Sequence, residues 1–284
     1  MKIFSKEYDE ENKHVIIRIF NIKLSFRVKT KLKFPKDAIC AQKVLTTPEN
    51  LVYKQKTATI FAMFNKDGLI LDNTINYLRE LRKYSDFLVI VSDCPMLKME
   101  IEKVSNLVDA YIFKRHKEYD FGSYKRGFLI LQKLNILENV DNLIFCNDSV
   151  LFNGISIEEI VSGVKTYDFY GVTINKTGYS KKLVLDAIEP HIQSYFVSVS
   201  KNIFEKQFFI DFINSIKREK NKLKIVYKYE QGLSRTIAFN GFDMHSYYPV
   251  RENDDIYSDP FIYYLNEKSS YRGKRFFHKK RLVD

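Results

Sequence analysis

The stretch from Asn142 to Ser149, N-L-I-F-C-N-D-S, decides the fold of the chain. Leu143 to Cys146 is a short apolar run typical of a buried strand, and it ends abruptly in Asn147, Asp148 and Ser149. An open α/β sheet presents a carboxylate to a ligand in this way, because ligands bind beyond the carboxyl ends of its strands. Such a carboxylate can hold a divalent metal, and the metal can hold a diphosphate. A plain strand-to-turn junction with solvated Asn and Asp is the alternative that this stretch leaves open.

Upstream of this stretch, apolar runs alternate with segments of helical periodicity. The predicted elements are strands at 57–64, 87–91 and 110–113 and helices at 71–84, 96–106 and 128–137. This alternation predicts an α/β fold with a mostly parallel sheet flanked by helices. Polar residues end three of the strands, at Asn65, Ser92-Asp93 and Asn147-Asp148, and we expect these ends to share one crevice. Beyond Ser149 the pattern is mixed α+β and completes the same sheet.

A charged block lies between the third strand and the third helix. It reads R-H-K-E-Y-D-F-G-S-Y-K-R-G from Arg115 to Gly127. Arg115 and Arg126 suit a diphosphate, Gly122 permits close approach of the backbone to a ligand, and Asp120 can order the arginines or contact a ligand hydroxyl. The spacing lacks the Lys and Ser/Thr of a P-loop. A solvated, charged loop is the alternative.

Two later motifs carry polar groups suited to a sugar or to proton transfer. H-I-Q-S-Y-F places His191, Gln193 and Ser194 before an apolar strand, although on pattern alone a structural polar cluster is the favoured explanation. In Y-K-Y-E-Q-G-L-S, Glu230 is predicted to open a helix that ends at Phe239. A carboxylate there can interact with the helix dipole or serve as a general base.

The charge of the chain is concentrated at its ends. The net charge of +11 arises from residues 1–34, with nine basic and four acidic residues, and from 268–284, with seven basic residues and one acidic residue. The charges of residues 35–267 balance. The predicted organisation is a basic N-terminal hairpin and connector over 1–55, a catalytic-looking domain over 56–250 and a basic tail over 251–284.

The basic ends suit an anionic partner. Ile22, Leu24 and Phe26 alternate with basic and polar residues, which predicts a strand that either docks at a lipid surface or packs as an edge strand. Nucleic acid is disfavoured, because the body is neutral and no recognised module is present. No apolar run approaches the roughly 20 residues of a membrane span, and the N-terminus lacks the apolar core of a signal peptide. Three cysteines without a CxxC pair fit a reduced cytosol.

Taken together, five ordered motifs resemble the rhamnan synthesis protein F family of bacterial glycosyltransferases. They are R-x(4)-D-F-G-S-Y-K-x-G, N-D-S, D-F-Y-G-V-T, H-I-Q-S-Y-F and Y-E-Q-G-L-S, and the resemblance covers about residues 58–250. It implies a fold similar to nucleotide-sugar transferases of the GT-A type. In that fold a DxD motif binds metal and diphosphate. Here Asn147-Asp148-Ser149 supplies one acidic residue instead of two, which leaves dependence on Mg²⁺ or Mn²⁺ open.

The resemblance also implies roles for individual residues. Phe64 and Asp93 would lie near the base and ribose of the donor, and Asp148 would be the metal ligand. Glu230 would be the catalytic base of an inverting reaction. The remaining donor-binding residues would be Arg115, Asp120, Gly122, Arg126, Asn147 and Ser149, and the groups that bind the acceptor or sugar would be His191, Gln193 and Ser194.

The expected function is therefore the transfer of a sugar, with rhamnose as a candidate, from a nucleotide diphosphate sugar to a growing polysaccharide. The polysaccharide would be capsule, lipopolysaccharide or rhamnan, and its acceptor end would be carried on a membrane lipid. The enzyme would be peripheral on the cytoplasmic face of the cell membrane. The alternative is a non-catalytic subunit that docks a polysaccharide assembly on the membrane.

Overall fold

The computed structural model describes residues 4–9, 14–19, 22–27, 32–177, 188–248 and 277–279. Backbone contacts divide the chain into two compact units, Met1–Phe34 and Pro35–Asp284. In the first unit, β1 (Phe4–Asp9), β2 (His14–Ile19) and β3 (Ile22–Arg27) form an antiparallel sheet in that order. The hairpin expected from the sequence is β2–β3, and β1 adds a third strand to it.

The second unit is built on an eight-stranded mixed sheet. The bounds of its strands, from one edge to the other, are β16 (His245–Ser246), β12 (Phe169–Gly171), β15 (Phe196–Ser200), β10 (Asn142–Asn147), β6 (Thr57–Met63), β7 (Phe87–Ser92), β9 (Ala110–Phe113) and β5 (Ala41–Val44). The four central strands, β10, β6, β7 and β9, are mutually parallel, whereas β15 and β5 run antiparallel to their neighbours β10 and β9. The α/β fold with a mostly parallel sheet that the sequence predicts is confirmed.

In the described part of the second unit, six short strands pair outside this sheet. They are β4 (Ala38–Ile39) with β8 (Met96–Leu97), β11 (Val150–Phe152) with β17 (Phe277–Lys279), and β13 (Ile174–Thr177) with β14 (Ile188–Ile192). The helices are α1 (Asp72–Arg82), α2 (Lys98–Val104), α3 (Tyr119–Lys133), α4 (Glu158–Val164), α5 (Lys201–Phe204), α6 (Gln207–Ser215), α7 (Lys222–Ile225) and α8 (Gln231–Phe239). Single 3-10 turns occupy Pro48–Asn50 and Leu137–Asn139, and a π-helical segment occupies Val226–Glu230.

The strand order creates a topological switch point. From β6 the chain moves outward to β7 and β9, and it then returns to add β10 on the other side of β6. The connections that leave β6 and β10 therefore diverge, and a crevice opens between the carboxyl ends of these two strands. Asp148, at the end of β10, is tied to the end of β6 because its backbone N–H donates to the carbonyl of Ala62 at 3.2 Å.

Two expectations about the chain's organisation need correction. Residues 35–55 are more than a connector, because they supply β5 as the edge strand that pairs with β9. That strand was not predicted because it is short and its burial alternates weakly. Most of the predicted tail, 251–284, lies outside the described residues, but Phe277 is fully buried against Tyr77 and Phe152.

Helix α3 begins nine residues earlier than the predicted start at Phe128. The sequence D-F-G-S-Y-K-R-G suggested a loop because it contains two glycines, yet both glycines are helical and buried. A Cβ on Gly127 would overlap Cγ2 of Ile60 and lie 2.9 Å from its Cγ1, so glycine lets α3 pack closely on β6. Residues 119–127 of the charged block therefore lie on a helix, whereas residues 115–118 form the loop before it.

We expect Gly127→Ala to lower the free energy of unfolding by about 1–3 kcal/mol, because the added methyl overpacks the interface between α3 and Ile60. Gly232→Ala is the matched control, since the nearest atoms to its new Cβ lie at 3.7 Å. It should match or exceed the stability of the wild type, because alanine favours a helix. Denaturant unfolding of both variants measures this, and equal stabilities would show that the close approach is dispensable.

Candidate active site

Asn147 is the centre of the hydrogen-bond network at the tip of β10. It is 1% exposed, and its Nδ2 donates to Asp120 Oδ2 at 3.2 Å, to the Tyr124 hydroxyl at 3.1 Å and to the Ser194 carbonyl at 3.4 Å. Its Oδ1 accepts from the backbone N–H and the hydroxyl of Ser149. The amide thus uses both its oxygen and its nitrogen within the site, which fixes the loop that carries Asp148.

Ser194 connects this network to Glu230. The Tyr124 hydroxyl donates to the Ser194 carbonyl at 2.8 Å, and the Ser194 backbone N–H donates to Glu230 Oε1 at 2.8 Å. Burial, followed by the negative charge of Asp120, raises the pKa of Tyr124 well above its usual value. The hydroxyl therefore keeps the proton that it donates.

Glu230 lies within a helical run instead of at a helix start. The run begins at Lys222, where the Asn221 side chain accepts from the Lys224 backbone N–H at 3.0 Å, and it continues through the π-helical segment into α8. The prediction that Glu230 opens its helix is therefore wrong, because the Lys-rich turn before it was not recognised as helical. The N-terminus of the run, where the helix dipole is positive, lies about two turns before Glu230. Glu230 is the last residue of the π-helical segment, and such segments often occur at functional sites.

Asp120 lies in the first turn of α3 among other carboxylates. Burial, and next the negative charge of Asp148, raise the pKa of Asp120 to about 7, and Glu230 and Asp93 act in the same direction. The charge of Lys222 opposes them. The structure thus brings Asp120, Asp148 and Glu230, three of the carboxylates predicted from sequence, into one electrostatic neighbourhood.

A second cluster lies at the ends of β6, β7 and β9. The Arg115 guanidinium lies 5.4 Å from the centre of the Phe64 ring, which is 39% exposed, and it pairs with the Asp93 carboxylate. Asp93 Oδ1 also accepts the backbone N–H groups of His116 and Lys117 at 2.6 and 2.7 Å. The structure therefore brings the predicted residues Phe64, Asp93 and Arg115 together, with an exposed aromatic face above a fixed ion pair.

Arg126 forms its own ion pair about two turns into α3. Its guanidinium donates to Glu118 Oε2 at 2.5 Å and to the Gly122 carbonyl at 2.8 Å. A Cβ on Gly122 would lie 2.8 Å from both Glu118 Oε2 and His116 Nδ1. Glycine at 122 therefore gives room to the 116–118 loop, which corrects the expectation that it admits a ligand to the backbone.

His116 was not predicted to take part, yet it shapes this loop. Burial and the positive charges of Arg126 and Arg115 lower the pKa of His116 to about 3, against the opposing charge of Glu118, so the ring is neutral. Its Nδ1 accepts from the Glu118 backbone N–H at 3.2 Å, which leaves Nε2 to donate to Ser123 Oγ at 3.0 Å. The neutral ring holds Glu118 where it can pair with Arg126.

The three residues predicted to bind the acceptor or sugar lie in different surroundings. Ser194 belongs to the network at the tip of β10. Gln193 accepts from Thr173 Oγ1 at 2.7 Å, and His191 is 2% exposed within β14. The burial of His191 favours the alternative of a structural polar residue, and its role towards a ligand stays a prediction.

The acidic crevice offers oxygen ligands for a metal ion. Carboxylate oxygens are the ligands that Mg²⁺ and Mn²⁺ prefer, and a cation at Asp148 would relieve the repulsion that raises the pKa of Asp120. However, among the residues that the structure describes, no group of three or more His, Cys, Asp or Glu is arranged to hold a metal. A cation at this site would therefore need additional oxygen ligands, such as phosphate oxygens or water.

Tyr124, Glu118 and Lys222 are the other site residues that sequence reasoning missed. Tyr124 follows Asp120 by four residues, the spacing that places two side chains on one face of a helix. That signal was present in D-F-G-S-Y, but it was hidden because the stretch was interpreted as a loop. Lys222 is 102 positions from Asp120 in sequence, so only the fold brings its charge near that carboxylate.

An open α/β sheet with an acidic, hydrogen-bonded crevice at its switch point defines the structural class. A family model for rhamnan synthesis protein F matches residues 88–281, and the chain belongs to that family. The matched region includes every site residue described above except Phe64. Family membership predicted from the ordered motifs is thus confirmed.

The chain also matches one curated protein and several solved structures. Protein y4gN of Sinorhizobium fredii, an uncharacterized protein, is 25% identical over 191 residues, or 66% of this chain. The match covers 48% of y4gN, so the chain spans about half the length of this relative.

The similar structures include two fungal mannosyltransferases. Core-mannan synthase A of Aspergillus fumigatus, in an Mn/GDP form, is 9% identical, with 89% of this chain and 96% of that chain covered and a TM-score of 0.39. Ktr4p of S. cerevisiae, in complex with GDP, is 10% identical, with 69% and 72% covered and a TM-score of 0.39. A 4-diphosphocytidyl-2C-methyl-D-erythritol synthase is 8% identical, with 74% and 96% covered and a TM-score of 0.42. Likenesses this distant carry no argument about the chemistry of this chain.

We expect Asp120→Asn to change the pH dependence of stability. Because the pKa of Asp120 is about 7 in the folded protein and about 4 in an unfolded chain, the unfolded state loses its proton first. The contribution of Asp120 to wild-type stability should therefore fall between about pH 4 and pH 7 and level off above. His116, with its lowered pKa, contributes in the opposite direction in both proteins, so the expected result is a fall in the stability of the wild type relative to the asparagine variant across this range.

The measurement is thermal or urea unfolding across this pH range, with a chelator present to remove stray cations. Asp211→Asn, which changes an exposed acid on α6, is the control and should follow the wild type. A constant difference in stability between Asp120→Asn and the wild type at every pH would contradict the assignment of the titration to Asp120.

Proposed function

We propose that the chain is a nucleotide-sugar-dependent glycosyltransferase with a GT-A-like arrangement of its donor site. The observation that carries this proposal is the convergence of Asp120, Asp148 and Glu230 at the switch point of the sheet, beside the cluster of Phe64, Asp93 and Arg115. Membership of the rhamnan synthesis protein F family supports a role in building a polysaccharide. The sugar, with rhamnose as the candidate, and the polysaccharide are part of the proposal.

The Phe64 cluster suits the nucleoside end of the donor. An exposed aromatic ring can stack on a base, and the Arg115 guanidinium beside this ring pairs with the Asp93 carboxylate. Asp93 is held by the backbone N–H groups of His116 and Lys117 and by Arg115, so its direction is fixed before a ligand arrives. This preorganisation favours recognition of a ribose hydroxyl by Asp93.

The transfer step needs the charge of the leaving diphosphate to be stabilised. Arg115 and Arg126 are each about one-third exposed and can turn donor N–H groups towards the crevice, although each already pairs with a carboxylate. A divalent cation held by Asp148 and the diphosphate would supply further positive charge when bound. The charge of Lys222, which acts on Asp120, adds to the positive potential at the same side of the crevice.

The acceptor hydroxyl must lose a proton as it attacks the sugar, and we assign this proton to Glu230 in an inverting reaction. Glu230 Oε1 accepts the Ser194 N–H at 2.8 Å, which orients the carboxylate and leaves Oε2 to accept a proton. The hydrogen bond from Tyr124 to the Ser194 carbonyl in turn holds the backbone of Ser194 in place. The acceptor would be a saccharide on a membrane lipid, reached from the cytoplasmic face.

A thermal-shift screen over nucleotide sugars, with and without Mn²⁺, tests the proposal most simply, because a ligand of the native state raises its apparent stability. A donor should raise the melting temperature of the wild type, and Asp148→Asn should weaken the effect of Mn²⁺ without unfolding the protein. If no nucleotide sugar is bound or hydrolysed, the catalytic function fails. The alternative of a non-catalytic docking subunit would then take its place.

We expect Glu230→Gln to lower the turnover rate about a hundredfold or more while donor affinity is kept, because glutamine keeps the Ser194 hydrogen bond but cannot take a proton. Glu205→Gln is the control, since Glu205 is an exposed acid paired with Lys201 on the surface. Transfer rates and donor titrations of both variants provide the measurement. A normal rate for Glu230→Gln would remove this residue from the mechanism.

A further inference from the structure

Residues 217–228 form a basic surface with exposed apolar side chains, which we call the 217–228 surface. Its sequence, K-R-E-K-N-K-L-K-I-V-Y-K, holds six basic residues and one acidic residue. That acid, Glu219, pairs with Lys228 at 2.5 Å. The segment therefore concentrates positive charge within a body whose total charge is balanced.

The apolar residues of this surface divide into two sets. Ile225 is buried and, together with Tyr229 just beyond the 217–228 surface, anchors the helical run to the core. Leu223 and Tyr227 lie on the outside, 57% and 38% exposed, and the Arg235 guanidinium lies 5.0 Å from the Tyr227 ring centre. Leu223 and Tyr227 do not pack into the core, so their exposure points to a partner.

The 217–228 surface borders the candidate active site. The charge of Lys222 reaches Asp120, and Glu230 follows Lys222 by eight residues, or about 12 Å along a helix. Whatever binds this surface is therefore brought to the side of the crevice where the proton acceptor lies.

We propose that the 217–228 surface docks the protein on an anionic lipid membrane, with Leu223 and Tyr227 entering the interface between headgroups and acyl chains. Interfacial helices combine Lys and Arg with outward aliphatic and aromatic side chains in this way. Each basic residue near an anionic leaflet adds to the attraction. A soluble polyanion would satisfy the lysines but would leave Leu223 exposed, so the pairing of charge with apolar exposure favours lipid.

This inference extends the proposed function, because a membrane-bound acceptor would reach the crevice from this side, but it is measured without any donor. The chain contains no tryptophan, so a single introduced tryptophan reports its own surroundings. Leu223→Trp is the reporter in the full chain. Met99→Trp is the matched control, since Met99 is 63% exposed on α2 and lies beside Lys98.

With vesicles of phosphatidylcholine and phosphatidylglycerol, the emission of Leu223→Trp should move to shorter wavelength, and added salt should reverse the shift. Pure phosphatidylcholine, soluble glycerol phosphate and heparin should leave it unchanged, and Met99→Trp should not respond to any of them. No shift with anionic vesicles, an equal shift of both reporters, or an equal shift with heparin would overturn the proposal.

Charge reversal gives an independent measurement on a chain without tryptophan. Lys220→Glu with Lys224→Glu should lower binding to anionic vesicles at least tenfold, whereas Lys43→Glu with Lys98→Glu should lower it much less. All four lysines are exposed, so folding should be preserved, and thermal unfolding checks this. Equal losses for the two pairs would show that only total charge matters and would overturn the assignment to this surface. A chain that docks but shows no donor-induced thermal shift would contradict the proposed function instead.

Discussion

The backbone N–H and carbonyl of Ser194 hold the candidate active site together. Its carbonyl accepts the Tyr124 hydroxyl from α3, and its N–H donates to Glu230 on the helical run that continues into α8. Asn147, at the tip of β10, donates to the same carbonyl and to the Tyr124 hydroxyl. Three elements that are distant in sequence thus meet at one residue, and the positions of Asp120, Asp148 and Glu230 follow from this junction.

Other features of the fold serve this junction. The reversal of strand order between β6 and β10 opens the crevice, and Gly127 brings α3 close enough to β6 for Tyr124 to reach Ser194. The resulting site is electrostatically uneven. Carboxylates crowd together around Asp120, whereas Arg115 and Arg126 are held in ion pairs beside it. Such crowding disfavours folding unless protons or cations reduce it, and this is a common property of functional sites.

The sequence predicted the parallel core and the acidic strand end, because buried parallel strands are continuous apolar runs and Asp148 follows such a run directly. It did not predict β5, since a four-residue edge strand with polar positions resembles a connector. The early start of α3 was missed because glycine usually interrupts helices, and here close packing requires it. The helical run from Lys222 was missed because the β-branched Ile225 and Val226 have a lower helix propensity and resemble a strand.

Within the site, residue types were predictable but their partners were not. Asp120, Asn147 and Glu230 were identified from motifs, yet the bonds through Ser194 depend on main-chain groups, which leave no trace in sequence. Tyr124 was missed because its stretch was interpreted as a loop, which hid its position on the same helix face as Asp120. The burial of His191 was not predictable either, because its motif does not specify that the fold encloses the side chain.

A double-mutant cycle of Tyr124 and Glu230, measured as the rate of sugar transfer, tests most directly whether the Ser194 junction positions the catalytic carboxylate. Tyr124→Phe keeps the ring packed against Phe121 and Phe145 and removes only the hydroxyl. The account predicts that this change slows the wild type by about tenfold or more and has little further effect when Glu230 is already glutamine. Rate losses that multiply independently in the double variant would contradict the account, because Tyr124 would then not act through Glu230.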